Sequence, residues 1–238
     1  RKCIMSGFKF KQFTIHQDKT AMKIGTDSIL FGSWLQTNSS CKSILDIGTG
    51  TGLLALMMAQ KNTNASITAL EIDEDAFFQA QENIVNSKWS NRIDLFHTNA
   101  NLWCSNRKYD LLLSNPPYFE NALLAEDSAR TKARHQVGFK IENLLSLWGK
   151  FGSKNSELAC VLPNNQAEIL IGLALKESYF LKKQTLVRST KESKVIRQLL
   201  LFSKAKAPTV KSELCIYTLE KQYTKAYIDL TIEFYLGL

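Results

Sequence analysis

From Lys42 onward the chain alternates short apolar runs with longer amphipathic stretches, and this alternation constrains the fold more than any other feature. "SILDI" (Ser43–Ile47) reads as a first strand and "GLLALMMAQ" (Gly52–Gln60) as the helix after it. "ASITALEI" (Ala65–Ile72) predicts a second strand. "DEDAFFQAQENIVNS" predicts a second helix, with acids in its first turn as the helix dipole prefers. "NRIDLFH" and "YDLLLS" are strands three and four, "IENLLSLWGKF" is helical and "SELACVL" is again a strand. "NNQAEILIGLALKES" predicts a helix capped by Asn164 or Asn165. "FLKKQTLVR", "RQLLLFSK" and "SELCIYTLE" read as closing strands, and "YTKAYIDLTIEFYL" as a short amphipathic helix. Such βαβ repetition implies an α/β fold with a doubly wound, mostly parallel sheet. No repeat, low-complexity tract or long linker interrupts it, so one domain is expected over 41–238, preceded by an N-terminal leader over 1–40.

Bulk properties exclude several classes. With 45% hydrophobic and 22% charged residues the composition is that of a globular protein, and no apolar run approaches the roughly 18–20 residues of a membrane span. The start, "RKCIMSGFKFKQF", is basic without a continuous apolar stretch, so no signal peptide is expected, and Arg1 in place of Met suggests a trimmed start. Five cysteines (Cys3, Cys41, Cys104, Cys160, Cys215) are scattered and never spaced as C-x-x-C, and the three histidines are equally dispersed. That argues against a disulfide framework or a metal site and for the cytoplasm; a monomer is expected. Residues Lys176 to Lys211 carry ten basic and two acidic side chains, an excess equal to the whole chain's +8. Such a field suits a polyanion such as RNA or DNA, and it is equally what a well-solvated surface looks like.

"LDIGTGTGLLAL" places Gly48, Gly50 and Gly52 between a strand and a helix, where a sharp turn and a close ligand leave no room for a Cβ. Glu71 ends the next strand about twenty residues on, where a carboxylate can accept from two ribose hydroxyls. The spacing is G-x-G-x-G, not the G-x-G-x-x-G of dinucleotide binders, and Asp46 stands two residues before the first glycine. A diphosphate is poorly served by that acid, whereas the α-ammonium of S-adenosylmethionine is favoured by it. The loop is read as a site for S-adenosylmethionine, with an NAD site and a purely structural turn as alternatives.

"LLLSNPPYFE" ends the fourth strand with Asn115, Pro116, Pro117 and Tyr118. In a doubly wound sheet that end lies beside the glycine loop, so Asn115 would face the same cleft. A nucleobase amine or side-chain amide is a poor nucleophile, because its lone pair is delocalised. Acceptors for its N–H groups make the nitrogen more reactive and stabilise the charge that develops on it. The Asn115 side-chain oxygen and the Pro116 carbonyl are two such acceptors. The prolines fix φ and remove donors, and Tyr118 offers a face for a planar target. A rigid turn is the structural alternative.

With these residues in view, the chain resembles the class I amino-methyltransferases, and more closely the bacterial tRNA(Val) adenine N6-methyltransferases that modify position 37. "DIGTGTG", "ALEID" and "SNPPYF" are shared with many amino-methyltransferases, while "FKFKQFTIHQDKTAMKIGTDSILFGSW", "ARTKARH" and the closing "YTKAYIDLTIEFYL" resemble the narrower family. The resemblance implies a Rossmann-like sheet of seven strands, S-adenosylmethionine as cofactor and a tRNA anticodon stem-loop as substrate. It implies a leader packed on the cofactor site, with Lys23, Gly25, Thr26 and Asp27 in the pocket wall and Ile72, Asn99 and Ala100 beside the cofactor. Asn99 stands where family members usually carry an Asp. Arg130, Arg134 and His135 would lie at the substrate mouth, and Lys182, Lys183 and Arg188 in the basic segment would track phosphate. Two other readings share features: a release-factor glutamine methyltransferase, which uses the same corner on an amide, and a non-catalytic RNA-binding protein of this fold.

Overall fold

The structure is a computed structural model that describes residues 7–20, 23–117 and 139–237. The elements, in chain order, are β1 (Phe8–Lys9), β2 (Thr14–Ile15), α1 (Thr26–Trp34), β3 (Ser43–Ile47), α2 (Leu53–Lys61), β4 (Ser66–Glu71), α3 (Glu74–Val85) and β5 (Ile93–His97). After these come β6 (Tyr109–Ser114), α4 (Glu142–Phe151), β7 (Gly152–Pro163), α5 (Asn164–Lys176), β8 (Phe180–Arg188), β9 (Val195–Ser203), β10 (Val210–Cys215) and α6 (Lys225–Thr231). Strands β3 to β10 form one sheet in the order β10-β8-β9-β7-β6-β3-β4-β5, while β1 and β2 pair with each other. Every pairing in the large sheet is parallel except those of β9 with β7 and β8. The sheet therefore has the eight strands read from the apolar runs, one more than the seven the resemblance implies. Strand β10, over the start of the run SELCIYTLE, pairs with the backbone edge that β8 would otherwise leave open.

The strands read as almost continuous apolar runs because both faces of the sheet are covered. Successive side chains point to opposite faces, so the central strands feed two cores. Ile44, Leu111, Leu113, Ala159, Val161, Leu199 and Leu201 join α1, α2, α3, α6 and the leader on one face. Leu45, Leu112, Leu158, Cys160, Leu162, Leu200 and Phe202 meet α4 and α5 on the other. Helix α5 corrects the expected cap: Pro163 is the N-cap residue and Asn164 already belongs to the helix, with no side-chain cap bond. Helix α3 is capped as its sequence suggests, Asp73 accepting from the Ala76 amide.

Residues before Cys41 build a wall of the molecule. Phe10, Phe13 and Ile15 enter the same core as Ile29, Leu30, Phe31, Trp34 and Leu35 of the α1 region. Buried Asn83 on α3 ties this segment down. Its Oδ1 accepts from the His16 amide at 2.8 Å, and its Nδ2 donates to the carbonyls of His16 and Thr51, each at 2.9 Å. One carboxamide thus satisfies backbone groups of both the leader and the turn that opens α2. Replacing Asn83 with Leu strands those groups without partners. The expected loss is about 2–3 kcal/mol of unfolding free energy, measured by urea denaturation, and an unchanged stability would show that the leader is held by its apolar contacts alone.

Candidate active site

The chain runs outward from β3 through β4 to β5, then crosses back to lay β6 on the other side of β3. The carboxyl ends of these strands diverge at that reversal, where ligands of doubly wound sheets bind. A cleft of about 810 Å³ opens there, lined by the ends of β3, β4, β5 and β6 and by Lys23, Ile24, Gly25, Asp27 and Ser28 of the leader. The register places Asp46 opposite Leu113, so the glycine loop and the Asn-Pro-Pro corner leave the sheet side by side. Ser114 Oγ donates to the Ile47 carbonyl at 2.8 Å and ties the base of the corner to the end of β3. Asn115 Nδ2 donates to Ser28 Oγ at 2.7 Å, which makes Oδ1 the acceptor end of that carboxamide. Asn115, Pro116 and Pro117 all line the cleft.

Gly48 and Gly50 have φ of 72° and 58°, values that a side chain disfavours. A Cβ built on either meets nothing within 4 Å, so it would stand in the cleft the loop lines. Glu71 braces the loop from the next strand. Its Oε2 accepts from the Gly50 amide at 2.7 Å, and its Oε1 accepts from the Ile72 and Asp73 amides, each at 2.8 Å. Burial raises the Glu71 carboxyl above its ordinary range, while these three amides pull it back. A carboxylate has about four acceptor positions, so the remaining one, on Oε2, is what Glu71 offers a ligand hydroxyl. Asp46 lies beneath the loop, fully buried, and its Oδ2 accepts from Thr49 Oγ1 at 2.6 Å.

A family model described as "Methyltransferase small domain" matches residues 20–133. A tRNA1(Val) (adenine(37)-N6)-methyltransferase from Pseudoalteromonas translucida is 39% identical over 98% of this chain and 100% of its own length. One from Haemophilus influenzae is 42% identical over 98% of this chain and 99% of its own. The chain belongs to this family. Among solved structures, a predicted O-methyltransferase from Agrobacterium tumefaciens superposes with a TM-score of 0.66 at 16% identity, over 87% of this chain and 96% of that one. M. capricolum TrmK, in complex with S-adenosyl-homocysteine, gives 0.54 at 14%, over 79% and 71%. At such identities these two attest the fold, a class I methyltransferase sheet.

The cofactor of the family is S-adenosylmethionine, and the site fits it: a positive-φ glycine cradle that any Cβ would fill, a carboxylate at the end of the second sheet strand, and a mainly apolar cleft. Of the residues expected to hold it, Lys23, Gly25, Asp27, Gly48, Gly50, Glu71, Ile72, Asn99, Ala100 and Asn115 line the cleft. Thr26, Asp46 and Gly52 do not. Thr26 opens α1, Asp46 supports the loop from below, and Gly52 caps α2 at φ 82° with α3 close behind it. Asn99 Oδ1 accepts from the Asn101 amide at 2.9 Å, so only its second lone pair remains for an adenine amine. Lys23 donates to the Gln17 carbonyl.

The basic-segment residues Lys182, Lys183 and Arg188 are not among those lining the cleft. Lys182 pairs with Glu157, Lys183 lies 4.6 Å from the Trp34 ring centroid, and Arg188 pairs with Glu213. Lys183 is half-buried, while Lys182 stays exposed. Tyr118, Arg130, Arg134 and His135 lie outside the described residues. Ser28, Thr98 and Phe139 line the cleft without having been anticipated, and Arg197, whose Nε donates to Asp27 Oδ2 at 2.8 Å, stands behind it. Among these only Ser28 carried a signal, since it adjoins the Gly-Thr-Asp run.

Burial pushes the Asp46 carboxyl up to about 7, opposed by the Thr49 hydroxyl and assisted by the charge of Glu71. The folded value stands above the ordinary 3.8, so the native state holds this proton more tightly than the unfolded chain does. The stability contributed by protonated Asp46 is complete below about pH 4 and is lost as pH rises to about 7. Asp46→Asn does not titrate. Its stability relative to the parent, from urea denaturation of the cofactor-free proteins, should rise between about pH 4 and 7 and stay level above. A pH-independent difference would place the Asp46 carboxyl in its ordinary range.

Proposed function

We propose that this chain transfers a methyl group from S-adenosylmethionine to the exocyclic N6 of an adenosine in tRNA, and that the target is adenosine 37 of tRNA1(Val), the substrate in its relatives' names. The observation that carries this reading is Asn115 at the end of β6, beside the glycine loop at the end of β3, with its carboxamide oxygen as the acceptor end. The bound cofactor supplies a methyl group made electrophilic by its sulfonium. In this reading Asn115 Oδ1 accepts one N–H of the target amine, and the Pro116 carbonyl accepts the other. Both acceptors stabilise positive charge on the nitrogen as it forms, which is the electrostatic work of the site. Holding amine and methyl in line contributes up to roughly 7–11 kcal/mol. The methylated nitrogen is acidic enough to release its proton afterwards, so the corner needs no general base.

We assign to Tyr118 the stacking of the target base, and to Arg130, Arg134 and His135 the flanking phosphates. An anticodon loop presents such a base with little unstacking cost. We place the reaction in the cytoplasm, with the protein acting as a monomer. Among the described residues no helix is long and apolar enough to cross a membrane.

Radiolabelled methyl transfer to unmodified tRNA, with release factor as a parallel substrate and nucleoside mass spectrometry on the product, tests the reading. N6-methyladenosine in tRNA is the expected outcome. Asn115→Ala should lower turnover by about 10²–10³-fold, with tRNA affinity within about twofold of the parent. Label on release factor alone would move the chemistry to a glutamine amide. An equal fall in affinity and turnover would make Asn115 a binding residue only.

A further inference from the structure

The cleft lies at the carboxyl ends of the parallel strands, and a cluster of cations lies at the opposite end of the sheet. Strands β6 and β7 start there, with Tyr109 opposite Gly152, and antiparallel β9 ends there, with Ser203 opposite Glu157. Lysines beside those positions converge where α4 runs into β7. Lys108 Nζ donates to the Lys150 carbonyl at 2.6 Å, and Lys204 Nζ donates to the carbonyls of Gly152 and Ser153 at 3.3 and 2.9 Å. Lys150 Nζ donates to the Trp103 carbonyl at 2.8 Å.

The carboxyl end of a helix attracts cations, but its dipole amounts to about half a charge, against three ammoniums here. Among the described residues none of the three forms an ion pair with a carboxylate. Asp110 returns one charge, with its oxygens turned to the amides of Lys42 and Ser43 and to the hydroxyls of Ser43 and Ser153. Exposed Lys154, next to Ser153, adds a further cation. Burial, and with it the charge of Lys108, pushes the Lys204 ammonium below its ordinary pKa, so the two cations feel each other. Each ammonium has three donors and spends one or two on these carbonyls, so donors remain for an acceptor that also brings negative charge. A phosphate is such an acceptor.

Helix α4 joins this cluster to the cleft. Phe139, just before α4, lines the cleft, and the ten residues of the helix span about 15 Å. Its exposed residues Glu142, Ser146, Gly149 and Lys150 follow the spacing of one helix face, which carries no acid after Glu142. We propose that Lys108, Lys150 and Lys204 bind backbone phosphates of the substrate RNA, where a stem that leaves the cleft passes along α4. This rests on the tRNA reading above.

Lys108→Ala together with Lys150→Ala tests it, and leaves half-buried Lys204 over the Trp148 ring. In fluorescence anisotropy with a labelled tRNA transcript, this double variant should bind about tenfold more weakly, and the slope of log affinity against log salt should fall by about two. In steady-state methyl transfer the loss should appear in KM for tRNA, with KM for S-adenosylmethionine within about twofold of the parent. Lys108→Arg together with Lys150→Arg keeps the charges and should keep the affinity. Ser146→Lys adds a cation midway along α4 and should tighten tRNA binding; an unchanged affinity would overturn the path along that helix. Equal affinity and slope in the parent and the alanine variant overturn the proposal. So does an arginine variant as weak as the alanine one, since the lysines would then serve only to cap α4. Lysine-dependent binding of duplex DNA, with KM for tRNA unchanged, would assign the cluster to another polyanion and overturn it too. A parent enzyme that methylates no tRNA overturns the functional reading alone, and the anisotropy comparison still decides the role of the lysines.

Discussion

The parallel pairing of β3 with β6 sets the distance between the two halves of the site. Adjacent strands lie about 4.8 Å apart, and Asp46 opposite Leu113 makes both strands end at nearly the same level. A glycine loop therefore emerges beside an Asn-Pro-Pro corner, and neither needs a long excursion to meet the other. The bond from Ser114 to the Ile47 carbonyl fixes this level, because a slip by one residue would turn every side chain of β6 to the wrong face. Leu111 and Leu113 would exchange cores with Leu112, which two filled cores resist.

Around that pairing the molecule spends its buried polar groups on holding backbone. Glu71 gathers three amides, Asn83 joins leader to loop, and Asp46 grips Thr49. Arg92 does the same for the end of α2, donating to the carbonyls of Ala59, Asn62 and Ala65. Lys61 closes the end of α1, where burial lowers its pKa to about 8. Glu71, Asn83 and Asp46 thus fix the loop and leader at the cleft before any ligand arrives, and preorganised dipoles are what stabilise developing charge in such sites.

Much of this was legible in particular residues. The runs "SILDI" and "YDLLLS" became β3 and β6 with the anticipated adjacency, because buried parallel strands write themselves as unbroken apolar runs. Helix α1 was not legible from periodicity. Ile29 to Trp34 are all buried, so the helix lacks the polar face that periodicity detects. In the basic segment, Lys183 lies over the Trp34 ring and Lys182 pairs with Glu157, contacts between separate elements that a count of charges along the chain does not carry.

The chain's local chemistry determined the strand–glycine–helix turn, the acid at the end of β4 and the Asn-Pro-Pro corner, since each depends on φ preferences and apolar runs that act over a few residues. Tertiary structure alone decided that Asp46 supports the loop from below, that Ser28 meets Asn115 across 87 residues of chain, and that Asp27 meets Arg197. Those contacts depend on which strands neighbour one another and on where α1 docks. That docking is settled by the filling of a shared core rather than by any local preference.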